Sequence, residues 1–221
     1  FIDPAEIDML VLTHAHGDHI GYAPLLYARG FRGPILCSAA TREFSEVSWT
    51  DPMVMEGYGP AEIMGLLERW HRVEAGSIVR DGDLSLRFYR AGHILGALTV
   101  EIDYKGRRIV YSGDLGPKSR TVDHFECPDP GADALLIEST YGDRDRTDPD
   151  AEAEAIVRKC EETHARGGVV LIPAFSIGRS QEVLSIIKEA QATGRLTDAE
   201  VYVDGQIRKM IPVYVRPRSG M

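Results

Sequence analysis

The chain has 221 residues, 43% of them hydrophobic, with 34 acidic against 25 basic side chains for a formal net charge of −9. That length can bury one large core or two small ones, while the acidic balance argues against a broadly basic nucleic-acid-coating protein and no apolar run approaches a membrane span or a signal peptide ahead of the first strand. Cys37, Cys127 and Cys160, odd in number and far apart, read as reduced thiols of a cytoplasmic protein, not as a disulfide framework or a Cys-zinc site.

The first expected element is a strand over 9–13, built on Met9-Leu10-Val11-Leu12. It runs directly into Thr13-His14-Ala15-His16-Gly17-Asp18-His19. His14, His16, Asp18 and His19 are four potential ligands within six residues, and neutral imidazole and carboxylate suit zinc and its first-row neighbours. In an extended turn His14 and His16 project the same way and can share one ion. Asp18 and His19 then face a second position beside it.

A helix over 21–29, a strand over 34–37, a helical segment from Thr41 and a helix over 60–70 come next, with Pro60 suited to a first helical turn. His71 reads as the close of that last helix. Strands over 84–89, 98–104 and 108–112 are separated by short connections, and 103–107 reads as a hairpin turn. His93 lies in Arg90-Ala91-Gly92-His93-Ile94-Leu95-Gly96-Ala97, and Asp114 in Ser112-Gly113-Asp114-Leu115-Gly116. In both, a strand gives way to a turn whose glycines allow close approach of the backbone to an ion. Three strand-end turns bearing His or Asp suggest one sheet edge lined with metal ligands.

A strand over 134–137 follows, then a polar stretch over 142–150, containing Pro149, that reads as a linker. Helix 151–165, strand 169–173, helix 176–193 and strand 201–203 alternate as expected for a parallel sheet in a second domain. His164 falls in the last turn of its helix, where the dipole favours a protonated imidazole. His124 reads as a surface loop residue. Arg107-Arg108, Lys118 with Arg120, Arg144 with Arg146, and Arg208-Lys209 read as solvated basic pairs.

The His14-to-His19 turn resembles the hallmark motif of the metallo-β-lactamase superfamily. Ala91–Gly96 and Ser112–Gly116 look like its third and fourth motifs. Ile137-Glu138-Ser139-Thr140-Tyr141-Gly142-Asp143-Arg144, Leu171 to Glu182 and Val201 to Gly205 are similar to signature stretches of the β-CASP branch, the nucleic-acid-processing nucleases that include the ribonuclease J-like enzymes. The resemblance implies an α/β chain: a partial αββα metallo-β-lactamase sandwich over 1–141 and the start of a β-CASP α/β domain over 142–221.

It also implies a two-zinc site. One ion would be held by His14, His16 and His93, the other by Asp18 and His19, with Asp114 bridging. A metal-activated water would attack a phosphodiester in line. The catalytic residues implied are Asp18, which orients that water, and Glu138, which positions a histidine that protonates the leaving oxygen. The substrate implied is RNA, because Glu138-Ser139-Thr140-Tyr141 looks like the RNA-processing members.

The chain departs from the pattern in three places. Phe1 stands just ahead of the ligand turn, where the superfamily has several strands and a bracing aspartate. The two late histidines of the family would fall beyond Met221, and Ala97 replaces a common Ser. An internal piece of a longer enzyme is therefore expected, with apolar strand surface exposed around Val11 and Leu12 and a homodimer left open. Two other readings stand beside the ribonuclease: a metallo-hydrolase of thioesters or lactams, and a non-catalytic metal-binding scaffold.

Overall fold

Leu10–Val11 form a short strand, β1, that pairs in parallel with β2 (Ile35–Cys37), and β2 pairs in parallel with β3 (Trp70–Arg72). The computed structural model describes residues 2–51 and 57–216. Parallel neighbours need crossovers, which here are α1 (Gly17–Ile20) with α2 (Ala23–Ala28), then α3 (Ala39–Trp49) with α4 (Pro60–Leu67). Ser38 caps α3 by accepting the Thr41 N–H. Pro60 opens α4 at a position whose N–H has no helical partner, and Glu62 accepts the Gly59 N–H. All three β2 residues are buried. Leu36 faces the core between two sheets, so Ile35 and Cys37 point to the opposite face.

The second sheet has the order β4 (Ile78–Asp81), β5 (Leu84–Arg90), β6 (Leu98–Tyr104), β7 (Arg107–Tyr111), β8 (Ala134–Leu136). Its pairs are antiparallel except β7 with β8. The β6–β7 turn places Lys105 at φ 53° and Gly106 at φ 76°. Two successive positive φ angles match the twist of the flanking strands, and the Asp103 carboxylate accepts the Gly106 N–H. Leu36 and Val73 pack with Leu86, Phe88, Leu98 and Val100. The two sheets therefore share one core, to which the fully buried Phe88 contributes about 1.5–3 kcal/mol.

These elements belong to one compact unit, Phe1–Pro117 with His124–Glu138; a second unit comprises Lys118–Asp123 and Ser139–Met221. The second unit holds α5 (Pro149–His164), α6 (Arg179–Ala192) and α7 (Ile207–Val215). Ala153 and Val157 of α5 pack against Ile186, Ile187 and Ala190 of α6 and against Leu196. Arg195 bonds both Glu154 and Glu161 of α5. Glu182 accepts from the Ser119 and Thr121 hydroxyls and the Arg120 N–H, which fastens 119–121 to α6. No helix among the described residues is long and apolar enough to cross a membrane.

Several expectations need correction. The first helix starts at Gly17, inside the ligand turn, and breaks before α2. His71 lies in β3 and does not close a helix. There Arg69 C=O accepts the Ile35 N–H and Trp70 Nε1–H donates to Cys37 C=O, drawing the chain into the ladder. Strand β4 was not expected. Pro149 is not linker but the first turn of α5, behind the Asp148 cap. The segments 169–173 and 201–203 carry no ladder, so no parallel sheet forms among the described residues of the second unit. Leu12 is buried, its N–H bonded to Leu36 C=O. The exposed apolar strand surface lies instead at Leu135, Leu136 and Ile137.

Candidate metal centre

Three turns at strand ends meet in the first unit. The turn after β1 is extended at His16, which has φ −71° and ψ 150° and precedes α1. That geometry sends the His14 and His16 rings the same way, with His14 Nε2 3.2 Å from His16 Nδ1. From the turn after β5, His93 Nε2 comes to 3.0 Å from the same His16 Nδ1. From the turn after β7, Asp114 Oδ2 stands 3.6 Å from His14 Nε2 and 3.5 Å from His93 Nε2. One ligand atom from each of His14, His16, His93 and Asp114 lies within 4.8 Å of all the others.

Asp18 and His19 lie beside this cluster. His19 Nε2 is 3.5 Å from Asp18 Oδ2 and 3.4 Å from Asp114 Oδ1. Asp114 thus turns one oxygen to each group. The Asp18 side chain is 79% exposed, against 18% for His19, so the second group opens to solvent on the Asp18 side.

The donor set fits a divalent ion. Burial first, then the neighbouring His19, His16 and His93, push the His14 pKa down to about 2. Burial and His16 also lower that of His93, against the pull of Asp114 and Glu138. Ring nitrogens of three histidines converge to 3.0–3.2 Å, a spacing at which one cation can be shared among them. A tetrahedral zinc with bonds of about 2.0–2.1 Å has ligand–ligand edges of about 3.3–3.4 Å, close to the spacings in both groups. Thr13 Oγ1 lies 3.2 Å from His14 Nδ1. When Nδ1–H donates to that hydroxyl, Nε2 keeps its lone pair for the cluster, the usual way a second hydrogen bond fixes a ligand tautomer.

The turns are locked to one another. Leu98 N–H donates to Thr13 C=O, and Gly116 N–H to Ala91 C=O. A Cβ on Gly116 would fall 1.7 Å from Gly92 O and 2.7 Å from His93 Cα, so only glycine lets the Asp114 turn lie against the His93 turn. Gly113 adopts φ +56° beneath Asp114, with Leu98 O and Thr13 Cβ 3.1 Å from where its Cβ would be.

Of the six residues expected as ligands, His14, His16, His93 and Asp114 come together in one cluster, with His19 and Asp18 beside it. Glu138, half-buried, comes near it too, its Oε1 accepting the Leu115 N–H at 3.3 Å. His71, His124 and His164 are not in the cluster; His164 ends α5 as expected. Sequence reasoning missed Thr13 and Ser112. Ser112 is buried, accepts the Glu138 N–H and lies at the base of the Asp114 turn. A polar residue directly before two of the three ligand-bearing turns was the available signal.

Residues 2–171 match the family model described as a beta-lactamase superfamily domain. The chain is 37% identical over 225 residues to a ribonuclease of Thermus thermophilus, an alignment that covers 97% of this chain and 51% of the relative. It is 31% identical to an RNase J-like protein of Methanocaldococcus jannaschii, over 97% of this chain and 51% of that protein. A transcription termination factor FttA of Lokiarchaeum is 32% identical, over 95% of this chain and 35% of its own length. The chain spans about half the length of the first two curated relatives.

Proposed function

The chain belongs to the beta-lactamase superfamily, and on that premise we propose that it carries the metal-binding part of a zinc-dependent ribonuclease of the β-CASP type. The observation that carries this reading is Asp114, whose two oxygens reach His14 and His93 on one side and His19 on the other. In this reading His14, His16 and His93 would hold one zinc, Asp18 and His19 would hold the second, and Asp114 would serve both. Bound zinc supplies Lewis acidity, making water nucleophilic near neutral pH and offsetting charge on the phosphodiester.

The protein's own groups do the rest. The His14 ring, neutral because burial disfavours its charge, needs no deprotonation to serve as a ligand. The exposed Asp18 carboxylate accepts a hydrogen bond from the attacking water and aims it. Glu138 completes the catalytic set as the carboxylate that positions a proton donor for the leaving oxygen. The names of two relatives, a ribonuclease and an RNase J-like protein, support RNA as the substrate over a thioester or lactam.

The same reading sets the protein in the cytoplasm, supported by three free cysteines. A homodimer belongs to it as well, with the exposed Leu135, Leu136 and Ile137 as the supporting surface. The test is turnover of labelled single-stranded RNA, duplex DNA and a chromogenic β-lactam by the protein that carries this chain. RNA cleavage that stops with a chelator and returns with zinc is expected. Hydrolysis of the lactam or of duplex DNA without RNA cleavage would overturn the reading.

A further inference from the structure

Asp114 is the one described carboxylate that reaches both the His14–His93 cluster and His19, so the shape of the turn that presents it decides how the two metal positions are joined. That turn is tied on both sides. Ahead of Asp114, Ser112 N–H donates to Leu136 C=O at 2.9 Å and Ser112 C=O accepts the Thr99 hydroxyl at 2.8 Å. Ser112 Oγ accepts the Glu138 N–H at 3.1 Å while its hydroxyl donates to Gly113 C=O. Behind Asp114, Gly116 N–H donates to Ala91 C=O at 3.0 Å. Between these ties lies the residue adjacent to Asp114, Leu115, and its N–H donates to Glu138 Oε1.

We propose that Glu138 is a positioning residue for Asp114, its carboxylate holding the Leu115 N–H and so fixing the turn that offers one oxygen to each metal position. Glu138 is well placed for this. It lies two residues past the end of β8, whose register with β7 is set by Ile109 with Ala134, Val110 with Leu135 and Tyr111 with Leu136. The backbone of Glu138 grips Ser112 and its side chain grips Leu115. One residue thereby clamps both ends of Ser112–Leu115. An acceptor is what the clamp requires, and a negative charge is not. This separates it from a role in which Glu138 acts on His93 through its field, an influence that raises the His93 pKa against the larger effect of burial.

The inference rests on the metal-site reading, and the experiment keeps the two apart. Cobalt(II) is titrated into the metal-free chain and followed by its visible absorption, for wild type, Glu138→Ala, Glu138→Gln, Ser112→Ala and His16→Ala. Residues that orient ligands typically change metal affinity by 10–100-fold. A loss of about that size is expected for Glu138→Ala, with an altered absorption band. Glu138→Gln keeps an amide oxygen for Leu115 N–H and should restore the wild-type affinity and band. Wild-type affinity in Glu138→Ala, or a loss in Glu138→Gln as large as in Glu138→Ala, would overturn the proposal. Should Glu138→Ala fail to fold, the decision passes to Glu138→Gln, which must bind as wild type, and Ser112→Ala, which must bind more weakly. Undiminished binding by His16→Ala would overturn the metal-site reading itself. Loss there without loss at Glu138→Ala overturns only the positioning role.

Discussion

Asp114 stands between His14 and His19: its Oδ2 lies 3.6 Å from His14 Nε2 and its Oδ1 3.4 Å from His19 Nε2. Removing it leaves three imidazoles around one position but only Asp18 and His19 at the other. Asp114→Ala should therefore keep one metal ion and lose the second, taking the content from about two per chain to about one. Metal analysis of the purified variant checks this. Equal loss from both positions would show that Asp114 organises the whole cluster and does not merely bridge it.

Two glycines in the ligand turns should behave in opposite ways. Gly116→Ala puts a methyl group against Gly92 O and the His93 backbone. Separating those turns should cost about 1–3 kcal/mol of stability and weaken metal binding. Gly17 lies inside the His14-to-His19 turn, yet a Cβ there meets nothing within 4 Å, so Gly17→Ala should leave both properties near wild type. Thermal unfolding and metal titration of the pair test it.

On the proposed reading, Asp18→Ala in the full-length protein that carries this chain should slow RNA cleavage by more than the ~10²–10⁴-fold typical of a lost general acid, because it would remove both a ligand and the group that aims the water. The ion held by His14, His16 and His93 should remain. Wild-type cleavage with metal still bound would place the nucleophile elsewhere.

Cys37 gives a pH signature. Burial, the largest influence, pushes its thiol from 9.0 up to about 12. The unfolded thiol ionises near 9 while the folded one does not. Its contribution to stability is therefore complete below pH 9 and declines as pH rises from 9 toward 12. At pH 8 an alkylating reagent should modify the exposed Cys127 and leave the buried Cys37 untouched until the chain unfolds. Mass spectrometry of the labelled peptides decides it, and rapid labelling of Cys37 in the folded chain would contradict the burial.

The sequence showed the site more clearly than it showed the second unit, and the reason is physical. The meeting of His14, His16, His93 and Asp114 could be read because residue types suited to metal ligation stand next to strand ends, a pattern visible locally. The antiparallel strands β5, β6 and β7 could be read from alternation, since each has its partner one short turn away. Strand β4 was hidden because Arg80 and Asp81 mask its alternation, although Asp81-Gly82-Asp83 offered a hairpin signal. Its existence depends on pairing with Leu84–Arg87. Val169 to Ile172 have strand composition, and exposures of 92, 37, 90 and 38% show the alternation of a strand. A ladder also needs a neighbour, which composition cannot supply. His71 was assigned to a helix because the pattern of α4 does not show where the β2 ladder takes over. The clamp of Glu138 on Leu115 left no local trace, because 23 residues separate the two.

Elemental analysis of the purified chain after exhaustive dialysis tests whether this cluster holds metal. Zinc at about two per chain, or one tightly held and one weakly held, is expected of a two-metal hydrolytic site. A chain that retains no transition metal and takes up none when zinc is supplied would contradict it.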